Sequence, residues 1–243
     1  MDDRLVALDH NDAKRRVEDT AELDALAHVL SHDVRAVFRS TGGFAQVVGT
    51  RAANVLSDED RALLQRVVDA SERGSDLLEQ MVAWLRTARH TPKYRTVDLA
   101  FLLDWSASEL PAPGLDLHVD GAAEIQGDEH LLKRLFEVLL RNARNFTADR
   151  SRPAPVQVLL RQDADGSVAI TVQDAGIGID AQSAERAFEP FVCLHTAEQG
   201  AGTGLGLAMA KSIVLKHQGS ISLAPAEDGG TRVEIRLPAH TES

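Results

Sequence analysis

The chain has 243 residues, and its 37 acidic side chains outnumber its 26 lysines and arginines, which gives a formal net charge of −11. This length allows one large domain or two small ones, and 44% apolar residues can supply a substantial core, which excludes disorder throughout. The acidic balance argues against sequence-independent binding of nucleic acid or of an anionic membrane surface, because both need a basic footprint. It does not exclude a small anionic ligand.

The start of the chain, MDDRLVALDHND, has neither the basic nor the apolar segment of a secretion signal. No stretch approaches the roughly 20 apolar residues that span a bilayer. We therefore expect a cytoplasmic protein without a membrane segment in this chain. Cys193 is the single cysteine of the sequence, which fits a reducing compartment and argues against structural zinc.

Two stretches carry apolar or small residues every three or four positions, the period of one helix face. The first contains Leu23, Leu26, Leu30, Val34, Val37, Thr41, Phe44 and Val48, and the second contains Leu63, Val67, Ser71, Gly74, Leu78, Met81 and Leu85. Between them Ser57, with Asp60 three positions later, predicts a helix N-cap. The pattern predicts an antiparallel helical hairpin. Because a lone hairpin leaves apolar surface in water, we predict a homodimer built on a four-helix bundle, with residues 1–22 as a polar helical connector.

After Pro92 the pattern changes to short apolar runs separated by glycine and proline. We predict strands at 115–119, 156–161, 168–173, 220–223 and 231–237, and helices at 99–109, 128–146, 181–187 and 205–217. Strands and helices mixed without strict βαβ alternation predict an α+β sandwich, with helices on one face of a mixed sheet. The charge is uneven, because residues 1–95 hold 14 basic and 16 acidic side chains, and residues 96–243 hold 12 and 21.

A possible reactive group lies in the first helix, in the run Ser-His32-Asp33-Val-Arg35. The helical period turns His32 away from the apolar face, and a neutral, exposed imidazole is a possible nucleophile. Asp33 could accept a hydrogen bond from the other ring nitrogen, and Arg35 and Arg39 could attract a phosphate. Taken alone, an ordinary solvated helix face explains this cluster better.

Three further motifs lie in the C-terminal half. Asn142 interrupts the apolar helix RLFEVLLRNARNF, where its amide oxygen could bind Mg²⁺. Asp174-Ala-Gly176-Ile-Gly178 directly follows a predicted strand, so it is either a simple turn or a ligand loop whose carboxylate accepts from an adenine amino group. A third motif, Gly202-Thr203-Gly204-Leu205-Gly206, leads into a helix, whose N-terminal N–H groups could bind phosphate. The helix that follows directly favours this interpretation over a flexible linker.

The order and spacing of these motifs, with Phe188-Glu-Pro-Phe191 between the last two, resemble a sensor histidine kinase of two-component signalling. The resemblance runs from about Leu23 to Leu237, and the segments around His32 and Phe191 look most like the phytochrome-type group. It implies a dimerisation and histidine phosphotransfer domain at 23–92 and a catalytic ATP-binding domain of the Bergerat type at 93–243. It also implies a lid over the nucleotide, formed by residues of the 190s up to Ala201 and anchored by Phe188 and Phe191.

The resemblance further implies the roles of individual residues. His32 would take the γ-phosphoryl group of ATP with Asp33 as its acidic partner, and would pass it to an aspartate in the receiver domain of a response regulator. Asn142 would coordinate Mg²⁺, and Asp174 would read the adenine. The remaining residues of the nucleotide site would be Gly176, Gly178, Gly202, Thr203, Gly204, Leu205 and Gly206.

Some positions depart from the family pattern. Val138 stands where the family often has a second asparagine, and Asn145 where it often has a basic residue, so that Glu137 or Arg144 would have to compensate. Val37 replaces a common proline. Ala36 replaces the Thr or Asn of phosphatase-competent members, which predicts weak or absent phosphatase activity. The main alternative is a non-catalytic histidine phosphotransfer or scaffold protein with a degenerate ATP domain, and a third is a different ATPase of the same fold.

Overall fold

The computed structural model describes residues 32–111, 114–147, 151–196, 202–226 and 229–239. The predicted connector at 1–22 and the start of the predicted first helix lie outside the described residues, as do Gly200 and Ala201 of the predicted lid. The chain divides into two compact units, Met1–Ala83 and Trp84–Ser243, and each is treated by itself.

The first unit is a helical hairpin, as predicted. Helix α1 covers the described residues 32–51, and helix α2 is Asp58–Arg89, whose last residues already belong to the second unit. Ser57 caps α2 as expected, because its Oγ accepts from the Asp60 N–H at 3.1 Å. The same hydroxyl donates to the Asp60 carboxylate at 2.6 Å, so this cap differs from a capping box.

Small residues bring α1 and α2 close together. A Cβ on Gly42 would lie 3.1 Å from that of Ser71, and one on Gly74 would lie 2.6 Å from the ring of Phe38. Because 38 faces 74 and 42 faces 71, the two helices run antiparallel. The contact face thus includes Ser71 and Gly74 of the predicted second stripe. Other residues of the two stripes face solvent: Val37, Phe44 and Val48 on α1 are exposed, as are Leu63, Val67 and Met81 on α2.

The second unit is built on a five-stranded mixed sheet. Its strands are β2 (Leu115–Asp120), β4 (Ala154–Gln162), β5 (Val168–Asp174), β6 (Ser220–Pro225) and β7 (Thr231–Leu237), in the order β2-β4-β5-β7-β6. Only the β2–β4 pair is parallel. Burial alternates along β4, where Val156, Val158 and Leu160 are buried and their neighbours are exposed. One face of the sheet is therefore covered and the other is solvated.

Three helices complete this unit: α3 (Leu99–Ser108), α4 (Glu129–Asn145) and α5 (Gly206–Lys216). Helix α4 packs against both α3 and α5 and contacts β4 and β5, so it is the centre of the helical layer. Asp98 and Asp128 cap α3 and α4, each accepting from a backbone N–H three residues later. The predicted α+β sandwich is confirmed.

Two expectations for this unit were incomplete or wrong. A small two-stranded sheet of β1 (Arg95–Asp98) and β3 (Glu124–Gly127) was not predicted, because each strand has only four residues and little apolar character. The predicted helix at 181–187 is wrong, since the structure has two separate 3₁₀ turns, Ala181–Ser183 and Arg186–Phe188. The side chain of Asp180 accepts from the N–H of Gln182 and caps the first of them.

Candidate functional site

The candidate phosphoacceptor, His32, lies on α1 with about three quarters of its side chain exposed. Its Nδ1 lies 3.1 Å from Asp33 Oδ1, so the expected contact between these side chains is present. Because a carboxylate only accepts, Nδ1 carries the proton, which leaves the Nε2 lone pair facing solvent. The arrangement suits a nucleophilic imidazole. Arg35 follows one turn later and is half-buried, and its Nε has no hydrogen-bond partner among the described residues.

In the second unit, the predicted nucleotide residues converge on the C-terminal half of α4. Asn142 is half-buried there, and a Cβ placed on Gly206 would lie 3.7 Å from its Oδ1. Gly206 is the first residue of α5, whose N-cap is Leu205, a residue with no side-chain acceptor for the first N–H groups of the helix. The Asn142 amide and the N-terminus of α5 therefore lie side by side, an arrangement that suits a phosphate with its metal ion.

Asp174, the last residue of β5, holds the loop that follows. Its Oδ1 accepts from the N–H of Gly176 at 2.9 Å and from the N–H of Thr231 at 3.1 Å. Burial raises the pKa of this carboxyl, and these two hydrogen bonds oppose the rise. A half-buried carboxylate at a strand end, fixed by backbone donors, is an acceptor of defined direction for a ligand amino group.

The loop after Asp174 reaches back to the end of α4. Ile177 donates its N–H to the carbonyl of Phe146 at 3.0 Å, and a Cβ on Gly176 would lie only 2.5 Å from that oxygen. Gly178 has a φ of +73°, a left-handed conformation that favours glycine. Glycine is thus required at both positions. The loop places Asp174 and Asn142 at the same end of the unit.

The second glycine segment is fixed by the predicted lid anchor. Phe191 donates its N–H to the carbonyl of Gly204 at 3.0 Å, and Gly204 has a φ of +72°. Thr203 Oγ1 accepts from the N–H of Leu205 at 3.4 Å. Gly202 is exposed, and a Cβ there would meet nothing within 4 Å. Gly204 is therefore tightly packed, Gly206 is in ordinary van der Waals contact with Val138 and Asn142, and Gly202 faces open space.

The described part of the predicted lid touches the end of α4. The ring of His195 lies 4.9 Å from that of Phe146, centroid to centroid. A cavity of about 440 Å³ opens beside this contact, lined by residues 177–180, Leu194, His195 and the turn that precedes β7. Phe188, the other predicted anchor, is buried in its 3₁₀ turn.

Sequence reasoning missed part of this site. Gly230 packs directly against the carbonyl of Asp174 with a φ of +89°, and Thr231 supplies one of the two donors to the carboxylate. The sequence signal was the Gly229-Gly230 pair between two predicted strands. A glycine pair at that place predicts a hairpin turn but not its pairing with a loop more than fifty residues away.

The structure also shows the surroundings of Val138, which departs from the family pattern, and of Glu137, one of the two residues that would have to compensate. Val138 is buried, with its Cγ1 3.4 Å from the place of a Gly206 Cβ, so an apolar side chain packs below the start of α5. Glu137 does not compensate for a missing ligand, because it is bound by Lys133 at 2.6 Å and by Arg134 at 2.9 Å. Burial acts to raise the pKa of Glu137, but these two cations outweigh it and the pKa is lowered.

The site offers few protein ligands for a metal ion. Within the described ranges, no group of three or more His, Cys, Asp or Glu side chains could hold a metal ion. Asn142 offers a hard amide oxygen, which fits Mg²⁺ that arrives with phosphate ligands and keeps several waters.

Among the residues that the structure describes, no helix is both long and apolar enough to cross a membrane.

Residues 127–241 match the family of histidine kinase-, DNA gyrase B-, and HSP90-like ATPases. This segment contains Asn142, the Asp174 loop and both glycine segments, so the site described above lies within the matched region. The second unit therefore carries an ATPase domain of this family.

Relatives extend the similarity to nearly the whole chain. Phytochrome-like protein Cph1 of Synechocystis is 25% identical over 93% of this chain and 30% of its own length. Sensor protein IrlS of Burkholderia pseudomallei is 31% identical over 93% of this chain and 49% of its own length. The structure of the mycobacterial sensor histidine kinase MprB is 27% identical and superposes with a TM-score of 0.51, covering 62% of this chain and all of that one.

The resemblance of this chain to sensor histidine kinases is thus confirmed. It spans about a third to a half of the length of the curated relatives named above. Cph1 is named a phytochrome-like protein and IrlS is named a sensor protein. The phytochrome-type subgroup therefore stays a prediction. The roles of individual site residues also stay predictions.

Proposed function

We propose that this chain is the kinase core of a sensor histidine kinase, which phosphorylates His32 from ATP and passes the phosphoryl group to an aspartate of a response regulator. The proposal keeps the predicted division into a connector at 1–22, a dimerisation and phosphotransfer domain at 23–92 and an ATP-binding domain at 93–243. The match of residues 127–241 to the ATPase family and the similarity of the chain to sensor proteins support it.

One observation carries the proposal. The Asp174 carboxylate, the Asn142 amide and the N-terminus of α5 meet around the C-terminal half of α4, in a chain that also has an exposed histidine paired with a carboxylate. The first three groups match the parts of ATP: an acceptor for the base amino group, an oxygen ligand for the metal and N–H donors for phosphate.

Each residue has a defined task in the proposed reaction. Asp33 holds the proton of His32 on Nδ1, so Nε2 forms the bond to the γ-phosphorus while the bond to the bridging oxygen of ADP breaks. Asp174 fixes the base, and the N–H groups at the start of α5 hold phosphate. Positioning and charge neutralisation supply most of the catalysis of phosphoryl transfer.

Mg²⁺ is proposed as the accompanying metal, with Asn142 as its protein ligand. When bound, it would neutralise charge on the phosphates. The apolar Val138 and the ion-paired Glu137 leave Asn142 as the oxygen donor of this helix segment for that purpose.

The homodimer is proposed from the exposed apolar stripe of the hairpin. Val37 and Phe44 on α1 and Leu63 and Met81 on α2 remain in water in the single chain, and a second copy would cover them. The receiver domain of a response regulator is the proposed partner, with Arg35 and Arg39 near His32 suited to its acidic site. Because the reaction consumes ATP, we propose the cytoplasm as its compartment.

The test is incubation of the full chain with Mg²⁺ and γ-labelled ATP. We expect acid-labile, alkali-stable label that His32→Ala abolishes and that His118→Ala, which removes an exposed histidine of β2, leaves unchanged. Label retained in His32→Ala would refute the assignment of His32. A wild-type chain that neither binds nucleotide nor takes up label would favour the scaffold alternative with its degenerate ATP domain, for which no observation speaks at present.

A further inference from the structure

The segment between the end of α2 and β1 is tied to a buried carboxylate. Asp128 is 2% exposed and lies between β3 and α4. Its Oδ2 accepts from the ring Nε2 of His90 at 2.8 Å and from the N–H of Lys93 at 2.8 Å, while its Oδ1 accepts from the N–H of Leu131 at 3.0 Å. Every group in this cluster belongs to the unit Trp84–Ser243.

The C-terminal end of α5 holds the same segment from a second side. Lys216 donates its Nζ to the carbonyl of His90 at 2.9 Å, and the Tyr94 hydroxyl donates to the carbonyl of Lys216 at 2.9 Å. The ring of Tyr94 meets that of His217 edge-on, with centroids 5.7 Å apart. We call His90, Lys93, Tyr94, Asp128, Lys216 and His217 the linker clasp.

His217 is itself locked in place. Its Nδ1 lies 2.8 Å from the carbonyl of Ile213, so this nitrogen carries the proton and Nε2 accepts from the N–H of Asp128 at 3.0 Å. Gly127 lies against the same ring, since a Cβ there would be 3.4 Å from it. The clasp is therefore a connected network around two buried groups, Asp128 and His217, and breaking one contact leaves a partner without its hydrogen bond.

The chain at 90–94 has no regular secondary structure, and such connections usually move freely. Here side chains and backbone are bound at four points to the rest of the unit, by Asp128 twice and by Lys216 twice. A buried carboxylate that loses a charged or N–H partner pays its desolvation cost, so the bound arrangement is strongly preferred.

We propose that the linker clasp makes residues 90–94 part of the ATP-binding unit, which moves the boundary predicted between 92 and 93 to a position before His90. We further propose that His90 is a positioning residue that keeps the last turn of α2 attached to that unit during phosphoryl transfer. The second half rests on the proposed kinase function. Transfer within one assembly depends on the effective concentration of the reacting groups, and a loose segment at this place would lower it.

The electrostatics of Asp128 agree with a permanent attachment. Burial acts to raise its pKa, but the hydrogen bonds from Lys93, His90 and Leu131 outweigh burial and lower the pKa to about 2. The carboxylate is therefore ionised throughout the physiological range.

The first experiment is amide hydrogen exchange on the full chain without nucleotide. We expect the N–H groups of residues 93–97 to be protected in the wild-type chain, and to exchange at least tenfold faster in the double variant His90→Ala/Tyr94→Phe. His118→Ala is the control and should match the wild-type chain. Exchange of the Lys93 and Tyr94 N–H groups at the rate of an unfolded peptide in the wild-type chain, or no change in the double variant, would overturn the attachment.

The second experiment tests the positioning role by autophosphorylation kinetics. We expect His90→Ala to lower kcat at least fivefold with KM for ATP within twofold, and His90→Gln, whose amide can still donate to Asp128, to recover most of the loss. An unchanged kcat, or a loss that appears in KM, would refute the role. If the wild-type chain takes up no label, the kinase function and the positioning role fail together, while hydrogen exchange still decides the attachment.

Discussion

Asp174 binds both of its backbone donors, the N–H groups of Gly176 and Thr231, through Oδ1. In the part of the chain that the structure describes, no hydrogen bond reaches Oδ2, so this oxygen is available to a ligand. One residue thus fixes two loops and still presents an acceptor. Because the two carboxylate oxygens have separate roles, Asp174 can hold the loops through Oδ1 while Oδ2 accepts from the proposed ligand.

Replacing Asp174 by asparagine separates the two tasks. The amide oxygen can keep the donors from Gly176 and Thr231, but the ligand-facing oxygen becomes an NH₂ group that repels an adenine amino group. Losing a hydrogen bond to a charged group costs about 1.5–3 kcal/mol, so we expect ATP affinity to fall roughly 10- to 100-fold with little change in stability. Isothermal titration calorimetry measures this.

The matched control is Asp120→Asn, which changes an exposed carboxylate at the end of β2 by the same atoms. Equal affinities of the wild-type chain and Asp174→Asn for ATP would contradict the assignment of Asp174 as the base-reading residue.

At the scale of the elements, the glycine segment before α5 contains one strained and one free position. A side chain at Gly204 would adopt the left-handed conformation, at about 1–2 kcal/mol, and its Cβ would lie 2.6 Å from the backbone of Phe191. We expect Gly204→Ala to lower the free energy of unfolding by about 2 kcal/mol or more. Gly202→Ala, with open space around it, should stay within about 0.5 kcal/mol of wild type.

Urea denaturation followed by circular dichroism compares the two variants directly. A Gly202→Ala loss as large as that of Gly204→Ala would show that the segment is not packed as described.

The helical hairpin leads to a prediction about assembly. Phe44 is 71% exposed on α1, within the proposed dimer face. In a symmetric pair, Phe44→Glu would add two buried charges, so we expect the dimer dissociation constant to rise at least tenfold. Gln46→Glu adds the same charge at another exposed position of α1 and should leave the dimer intact. Sedimentation equilibrium reports the result, and a monomeric wild-type chain would disprove the homodimer.

The sequence predicted the elements whose signals are local. All five strands of the main sheet, α3, α4 and α5 follow from apolar runs separated by glycine and proline. The β1–β3 pair could not be predicted in this way, because each strand has only four residues and is held by pairing with the other, which is distant in sequence. The helix predicted at 181–187 failed because Asp180 caps a single 3₁₀ turn that does not continue.

The candidate site divides in the same way. Asp174, Asn142 and the glycines carry their signal in the residue type and its neighbours. Gly230, Thr231 and the linker clasp could not be predicted, because each acts through a partner at least 35 residues away. The contact face of the hairpin was predicted in part: the second stripe included Ser71 and Gly74, but Gly42 on α1 was missed, because hydrophobic periodicity does not count it.

At the scale of the whole molecule, Asp128 sets a limit on acid stability. Its pKa is about 2 in the folded chain against an ordinary 3.8, so its ionised form favours folding. That contribution, on the order of 2 kcal/mol, is complete above about pH 4 and is lost as the pH falls toward 2. We expect the stability difference between the wild-type chain and Asp128→Asn to shrink over this window.

Urea titrations at several pH values measure that difference, and Asp120→Asn serves as the exposed control. A difference that stays constant from pH 6 to pH 2 would contradict the role of Asp128.

Charge is also distributed over the whole molecule. Residues 96–243 hold 21 acidic against 12 basic side chains, although this part contains the proposed site for anionic ATP. General attraction therefore does not recruit the nucleotide, and local groups such as the N–H donors at the start of α5 have to do so. The more nearly neutral N-terminal part, with Arg35 and Arg39, is the better surface for an acidic receiver.

The turn before β7 has a practical consequence for labelling this protein. Hairpin turns are usually the safest places to insert a peptide tag or a fluorescent domain. Here Gly230 and Thr231 support the Asp174 carboxylate, so we expect an insertion at 229–230 to weaken the proposed binding of nucleotide. The turn at Asp163–Gly166, closed by the Gly166 N–H on the Asp163 carbonyl, lies away from these residues in sequence and contacts. It is the better position for a reporter.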